Sequence, residues 1–169
     1  RDLLGEMADI LGAPGEEFTQ GWGETFNDRM TGALPTVKEN IKHICKMLNI
    51  YPETEALETA VNLRVEMTHR WLVPRPGAVA LLENLKTSGY KIGLISDCSS
   101  EVPLLWDKTA FAPLMEVAVF SCKVGLKKPD PRIYLLACER LAVRPEDCLY
   151  IGDGSSRELT GAQRVGMYP

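Results

Sequence analysis

The chain has 169 residues, of which 45% are apolar and 25% are charged, and its formal net charge at pH 7 is −4. This mixture is typical of a folded globular protein and excludes a mainly disordered chain, while the weakly acidic balance argues against nucleic acid as a partner. The longest apolar run, Ile133 to Cys138, is far shorter than the roughly 20 residues of a membrane-spanning helix, so we expect no membrane association.

The first 73 residues predict helices only. In one of them Val37, Ile41 and Ile44 recur at intervals of three and four residues, which places them on one face of a helix. Glycines and prolines separate the apolar patterns, and no strand-like alternation interrupts them. The predicted helices cover residues 2–11 and 16–30, and two more begin after Pro35 and after Pro52.

The pattern changes at residues 73–77, where two prolines and a glycine occur within five positions. A stiff connection of this kind predicts a domain boundary, with a helical domain over residues 1–73 and a second domain over residues 74–169. In the second domain, short apolar strands alternate with helices, which is typical of an α/β fold with a parallel sheet covered on both faces. The predicted strands are 90–96, 117–121 and 148–152, and the predicted helices are 76–88, 99–110, 131–141 and 156–165.

Polar side chains follow the three predicted strands. Ser96 and Asp97 end the first, Lys128 comes shortly after the second, and Asp153 and Glu158 follow the third. Ligands of such sheets bind beyond the carboxyl ends of the strands, where these residues meet. A hydroxyl and an ammonium group bind phosphate oxygens, and clustered carboxylates bind Mg²⁺. The sequence therefore predicts a phosphoryl-transfer site at this edge.

The cysteines suggest where the protein works. There are five, an odd number, and no two form a Cys-x-x-Cys pair. Most of them lie within apolar stretches, as free buried cysteines do. We therefore expect reduced thiols and a cytoplasmic protein, with neither a disulfide framework nor a zinc site.

These motifs resemble the haloacid dehalogenase-like hydrolase superfamily, in its helical-cap phosphatase branch. Ile95-Ser96 is similar to the second family motif, Lys128-Pro129-Asp130-Pro131 to the third, and Gly152-Asp153 with Glu158 to the fourth. The resemblance covers almost the whole chain. It implies a Rossmann-like parallel sheet with an α-helical cap domain inserted after the first strand, and residues 1–73 correspond to that cap.

The resemblance also implies roles for individual residues. Ser96, Asp97 and Lys128 would bind the phosphoryl group, with Ser96 and Lys128 acting in catalysis and Lys127 as the alternative lysine. Asp153 would bind Mg²⁺ directly or through water, supported by Glu158. The implied activity is a Mg²⁺-dependent phosphatase that acts on a small phosphorylated metabolite through an aspartyl-phosphate intermediate.

The first family motif, a strand ending in Asp-x-Asp, does not occur in residues 1–169. We therefore expect a chain that is incomplete at both ends, with the nucleophilic aspartate upstream of Arg1. Its central first strand would be missing, which leaves a gap between the strands that end at Ile95 and Ile151. One alternative is a non-catalytic binding or regulatory module of the same fold. Others are a sugar-phosphate mutase and a metal-free dehalogenase, and Asp153 argues against the dehalogenase.

Substrate selection is expected at the first loop between cap helices, because cap residues near it face the active site in this family. The loop contains Arg29 and Thr31, followed by Gly32. A guanidinium can bind an anionic group with two hydrogen bonds. The alternative is that Arg29 is a solvated charge at the end of a helix.

Overall fold

The computed structural model describes residues 2–169. Two parallel strands, β1 (Gly93–Ser96) and β2 (Val117–Phe120), lie in the second half of the chain, which otherwise consists of helices and connecting turns. The helices of the described residues are α1 (Leu3–Leu11), α2 (Gly15–Glu24), α3 (Phe26–Thr31), α4 (Val37–Met47), α5 (Thr54–Trp71), α6 (Ala78–Thr87), α7 (Glu101–Leu105), α8 (Ser121–Val124), α9 (Pro131–Leu141) and α10 (Glu158–Arg164).

The helices α1, α2, α4 and α5 bury one apolar cluster, the helical core. Local signals fix their ends: the Asp2 carboxylate accepts the amide of Gly5 at 2.8 Å at the start of α1, and Gly12 ends that helix in a left-handed conformation. The stripes predicted from sequence face inward. The helical core consists of Met7, Ala8, Leu11, Phe18, Trp22, Val37, Ile41, Ile44, Cys45, Leu57 and Ala60.

The single helix predicted over residues 16–30 is wrong, because the chain forms α2 and α3 with a break at Thr25. The Thr25 hydroxyl donates to the carbonyls of Gly21 and Trp22, at 2.9 and 3.2 Å. The Arg29 guanidinium also donates to the Trp22 carbonyl. Side chains that bond to helix carbonyls compete with the backbone amides, and the helix is interrupted where they do so.

The second apolar cluster, the sheet core, lies between the sheet and helices α9 and α10. In the sheet, β1 and β2 pair in parallel, as the alternating pattern predicts, and the register places Gly93 opposite Val117 and Ser96 opposite Phe120. The Asp130 carboxylate caps α9 by accepting the amide of Arg132 at 2.9 Å, directly before Pro131. The sheet core consists of Val119, Ile133, Tyr134, Ala137, Cys138, Ala162 and Met167.

The third predicted strand, residues 148–152, is not a strand in this structure. It makes one isolated parallel bridge, between Leu149 and Tyr168. Leu149 and Ile151 are 71% and 81% exposed. An apolar segment becomes a strand only where a neighbour completes the hydrogen-bond ladder, and in residues 2–169 the segment has only this bridge and does not pair with β1.

Two other predicted elements are shorter than expected. The strand predicted over residues 90–96 begins only at Gly93, where pairing with β2 begins. The helix predicted over residues 99–110 ends as an α-helix at Leu105 and continues as a 3₁₀ turn over Trp106–Lys108. Among the described residues, no helix combines the length and the apolar composition needed to cross a lipid bilayer. The domain boundary between residues 73 and 74 stays a prediction.

Candidate active site

The ends of β1 and β2 are joined by one buried serine. The Ser121 hydroxyl accepts the Cys98 amide at 3.0 Å and donates to the Cys98 carbonyl at 3.3 Å. Ser121 is completely buried and opens α8 directly after β2. This pair of bonds fixes the loop that carries Ser96 and Asp97 beside the end of β2.

Lys128 and Glu158 form a buried ion pair at this edge of the molecule. The Lys128 ammonium lies 2.5 Å from Glu158 Oε2, and the two side chains are 12% and 4% exposed. The sequence predicted both residues for the site, and the structure brings them together across 30 positions of the chain. A buried ion pair is stable only where further hydrogen bonds satisfy its remaining polar atoms.

Those further hydrogen bonds come from Tyr150 and Gly154. The Tyr150 hydroxyl donates to Glu158 Oε2 at 2.9 Å, and the Gly154 amide donates to Oε1 at 3.1 Å. Burial alone would raise the pKa of Glu158, but the hydrogen bonds from Lys128 and Tyr150 bring it below its ordinary value. Burial and the bond to Glu158 raise the pKa of Tyr150, so this phenol stays protonated.

A second tyrosine holds the backbone of Glu158. The Tyr134 hydroxyl donates to the Glu158 carbonyl at 2.9 Å. Its ring packs edge-on against Tyr150, with 5.4 Å between ring centroids. Two aromatic residues from α9 and from the segment before Gly152 therefore fix both the main chain and the carboxylate of Glu158.

Asp97 lies beside the same lysine. Its carboxylate accepts the backbone amide of Lys128 at 3.0 Å, which ties the loop after β1 to the loop before α9. Burial raises the pKa of Asp97, and Lys128 and Lys127 oppose that shift. Ser96, the last residue of β1, is half-buried next to it.

Asp153 differs from Glu158 because it is exposed. Its carboxylate accepts the Ser155 amide at 2.8 Å, and this hydrogen bond is the main cause that lowers the pKa of Asp153. Asp153 is therefore an anion that solvent and ligands can reach. Within residues 2–169, no three histidine, cysteine or acidic side chains converge as a set that could hold a metal ion.

The first five helices, which we call the helical part (residues 3–71), contribute a group of cations and aromatic rings. Arg29 is only 6% exposed, which excludes a solvated helix-end charge. Its guanidinium donates to Thr25 Oγ1 at 2.7 Å and lies 4.4 Å from the Trp22 ring centroid. Burial, and next the charge of Arg64, lower the pKa of Arg29 to about 10.

The turn that contains Thr31 lies against the start of α8. Gly32 has a φ of +78°, and a Cβ atom there would lie 2.2 Å from the Cys122 carbonyl oxygen, so only glycine fits. The Thr31 hydroxyl donates to the Asn27 carbonyl at 2.9 Å. Close by, the Lys127 ammonium lies 5.7 Å from the Phe26 ring centroid. The loop predicted to select substrate therefore contacts the half of the chain that carries Lys128.

Two features of this region were missed by sequence reasoning. Tyr150 was interpreted only as an apolar strand residue, although its hydroxyl bonds to Glu158. The second feature is a buried ion pair in which Arg64 Nε lies 2.7 Å from Glu101 Oε1 and joins α5 to α7. The sequence feature that could have pointed to this ion pair was Glu101, an acidic residue in the first turn of the helix that follows Asp97.

Comparison with known proteins identifies the family and the fold. Residues 3–166 match the family model of a hydrolase group, described as haloacid dehalogenase-like hydrolase. A solved HAD family enzyme of Bacteroides thetaiotaomicron, in complex with magnesium and inorganic phosphate, superposes with a TM-score of 0.72 at 17% identity. The superposition covers 98% of this chain and 82% of that enzyme, so the two share a fold.

Two curated relatives have different activities. Glyceraldehyde 3-phosphate phosphatase of Methanopyrus kandleri is 30% identical over 119 residues, which are 69% of this chain and 50% of that protein. (S)-2-haloacid dehalogenase 4A of Burkholderia cepacia is 30% identical over 108 residues, 62% of this chain and 45% of that enzyme. This chain thus spans about half the length of the curated relatives that it matches.

Proposed function

Because the chain belongs to the haloacid dehalogenase-like hydrolases, we propose that the whole protein is a Mg²⁺-dependent phosphatase of a small phosphorylated metabolite. The observation that carries this proposal is the buried pair of Lys128 and Glu158. The pair holds an ammonium group at a strand-end edge, where phosphate groups bind in α/β proteins. The curated phosphatase relative acts, by its name, on a phosphorylated three-carbon aldehyde.

In this proposal, Lys128 binds the transferring phosphoryl group. An ammonium has three N–H donors, and Glu158 Oε2 accepts one of them. The others can reach phosphate oxygens while Glu158 fixes the position of the amine. Ser96 donates its hydroxyl to the same group, and Asp97 holds the Lys128 backbone in place. In the same proposal the nucleophile is an aspartate upstream of Arg1. Its carboxylate bonds to phosphorus as the ester P–O bond breaks and the alcohol leaves, and water then hydrolyses the aspartyl phosphate.

The donor set suits one part of a magnesium site. Mg²⁺ usually takes one or two carboxylates and completes its shell with water and substrate phosphate oxygens, and the exposed Asp153 carboxylate fits such a role. Glu158 already accepts three hydrogen bonds. We therefore propose Asp153 as a direct ligand and Glu158 as its support, through the Gly154 amide. When bound, Mg²⁺ would neutralise charge on the phosphoryl oxygens.

We further propose that the turn at Arg29 and Thr31 helps to select the substrate. It lies against Cys122, which precedes Lys127 and Lys128 by about five residues, and this supports a position above the bound substrate. The Arg29 guanidinium is held inside the helical part, so it would act by fixing the turn and by its charge. Arg29→Ala and Thr31→Ala should change KM ratios among phosphorylated substrates and spare p-nitrophenyl phosphate.

The decisive experiment measures phosphate release by the full-length protein from a panel of phosphorylated sugars and short-chain acids. We expect turnover that needs Mg²⁺ and disappears with excess chelator. Lys128→Met should remove it, whereas Lys123→Met, the same change at an exposed lysine, should not. Full activity in chelator would contradict the metal assignment. Halide release from 2-haloacids would favour the dehalogenase activity named for the Burkholderia relative, and no turnover at all would favour a binding module.

A further inference from the structure

A pair of thiols lies outside the candidate active site, between α9 and the segment that leads to Asp153. The sulfur atoms of Cys138 and Cys148 are 4.0 Å apart. Cys138 is on α9 and is 4% exposed, whereas Cys148 is only partly buried. Nothing in the proposed phosphatase reaction uses either residue, so their proximity calls for a separate explanation.

The hydrogen bonds orient the two thiols toward each other. The Cys148 thiol donates to the Arg144 carbonyl at 3.3 Å. Since a thiol has one proton, the proton between the two sulfur atoms belongs to Cys138, and a lone pair of Cys148 accepts it. Burial, with the Cys148 thiol beside it, raises the pKa of Cys138 to about 12. Cys138 therefore stays protonated, and the more accessible Cys148 sulfur is the one that an oxidant meets first.

We propose that Cys138 and Cys148 form a site of reversible two-electron oxidation by peroxides. In the first step the Cys148 thiol gives up its proton and the thiolate attacks a peroxide oxygen. The O–O bond breaks, and the departing hydroxide (or alkoxide) takes up that proton, so that a sulfenic acid and one water (or alcohol) form. In the second step the Cys138 sulfur attacks the Cys148 sulfur, the S–O bond breaks, and hydroxide leaves as water with the Cys138 proton. The products are one disulfide and two reduced oxygen species, and both electrons come from the thiols.

The local geometry permits this bond. A disulfide needs a sulfur–sulfur distance of about 2.05 Å, so the two atoms must approach each other by about 2 Å. In this proposal the movement is shared between rotation of the thiol side chains and a small shift of the Cys148 backbone, which makes hydrogen bonds of 3.0 Å to Pro145 and Tyr168. The resulting cross-link between residues ten positions apart would join α9 to the segment that carries Tyr150. Oxidation would therefore act two residues away from the hydrogen-bond partner of Glu158.

The test exposes the full-length protein to hydrogen peroxide, removes the peroxide, unfolds the protein in denaturant, labels the free thiols with iodoacetamide and maps the peptides by mass spectrometry. We expect Cys138 and Cys148 to lose their thiols together and to appear as one cross-linked peptide pair that dithiothreitol restores. Their loss should be about tenfold faster than that of Cys45, which is buried in the helical core. The prediction does not depend on phosphatase activity.

Variants separate this pair from the other cysteines. Cys148→Ser should prevent the cross-link and leave Cys138 labelled, whereas Cys45→Ser and Cys122→Ser should leave the cross-link unchanged. Cys138→Ser should also prevent the cross-link. If this change at a buried position keeps the protein from folding, the Cys148→Ser result and the peptide map of the native protein decide the question. The proposal is overturned if all five thiols remain free, if Cys148 becomes sulfinic acid beside a free Cys138, or if the cross-link joins other cysteines or two chains.

Discussion

The helical core and the sheet core are stabilised in different ways. The helical core is formed by eleven buried residues from four helices, and apolar contact is its main source of stability. The sheet core has seven buried residues and adjoins the network of Lys128, Glu158 and Tyr150. The first region depends on its apolar faces meeting. The second region is stable only if each buried polar atom of its network has a hydrogen-bond partner. The same network supplies the candidate chemical groups of the protein.

The largest effect should come from truncating the centre of the helical core. Phe18 is fully buried and packs on Trp22. Phe18→Ala should lower the free energy of unfolding by about 4 kcal/mol, because it removes an aromatic ring and leaves a cavity. Urea unfolding followed by circular dichroism measures it. As a control, Phe26→Ala removes a ring that is 51% exposed and should cost less than about 1 kcal/mol. Equal losses at both positions would refute the described core.

A polar change at the Lys128–Glu158 pair should have the next largest effect. Lys128→Met should lower the free energy of unfolding by about 3 kcal/mol, because it leaves the Glu158 carboxylate buried without its cation. Lys123→Met should change it by less than about 0.5 kcal/mol. The same urea titration compares them. A neutral or stabilising Lys128→Met would show that the sheet region does not depend on the pairing of its buried charges.

The pH dependence sharpens the comparison. The pKa of Glu158 lies below its ordinary value of 4.5, so its charge stabilises the fold above pH 4.5, and this contribution is lost as pH falls through the folded-state pKa. Tyr150→Phe removes one donor and should cost about 1.5 kcal/mol at pH 7. The difference from the parent protein should shrink below pH 4.5. Tyr51→Phe, at a side chain that is 82% exposed, is the control, and a cost that stays constant with pH would contradict the assignment.

The smallest effect is expected at the segment that is not a strand. Ile151 is 81% exposed, so Ile151→Ser should change the free energy of unfolding of residues 1–169 by no more than about 0.5 kcal/mol. In contrast, Val119→Ser replaces a fully buried residue of the sheet core and should cost several-fold more. Comparable losses in the two variants would mean that Ile151 is buried in solution.

Sequence patterns predicted what depends on neighbours along the chain. Helix α9 has its expected bounds because Asp130 caps it and Pro131 suits its first position. The strand predicted over residues 148–152 was wrong, because a strand needs a neighbouring strand to pair with and no local sequence pattern encodes that neighbour. At the site, Lys128 and Glu158 were found from motif spacing. Tyr150 was missed because its spacing indicates only that it is buried.

The Arg64–Glu101 ion pair was missed for a related reason. In a helix, an arginine between apolar positions is typical of a solvated face, and only the packed structure shows that its charge is buried between two elements. The same holds for Arg29, whose burial against Trp22 excludes the alternative of a solvated helix end. Which charged residues pair over a long distance in the chain depends on how the elements pack, and a single sequence does not show these pairings.

The Arg64–Glu101 pair also bears on motion. It joins α5 to α7, the helix that follows the Asp97 loop, and both side chains are largely shielded from water. Moving α5 away from α7 would leave the Glu101 carboxylate, whose side chain is 2% exposed, without its cation until water reaches it. The pair therefore opposes small displacements of α5 relative to the helix that follows the Asp97 loop.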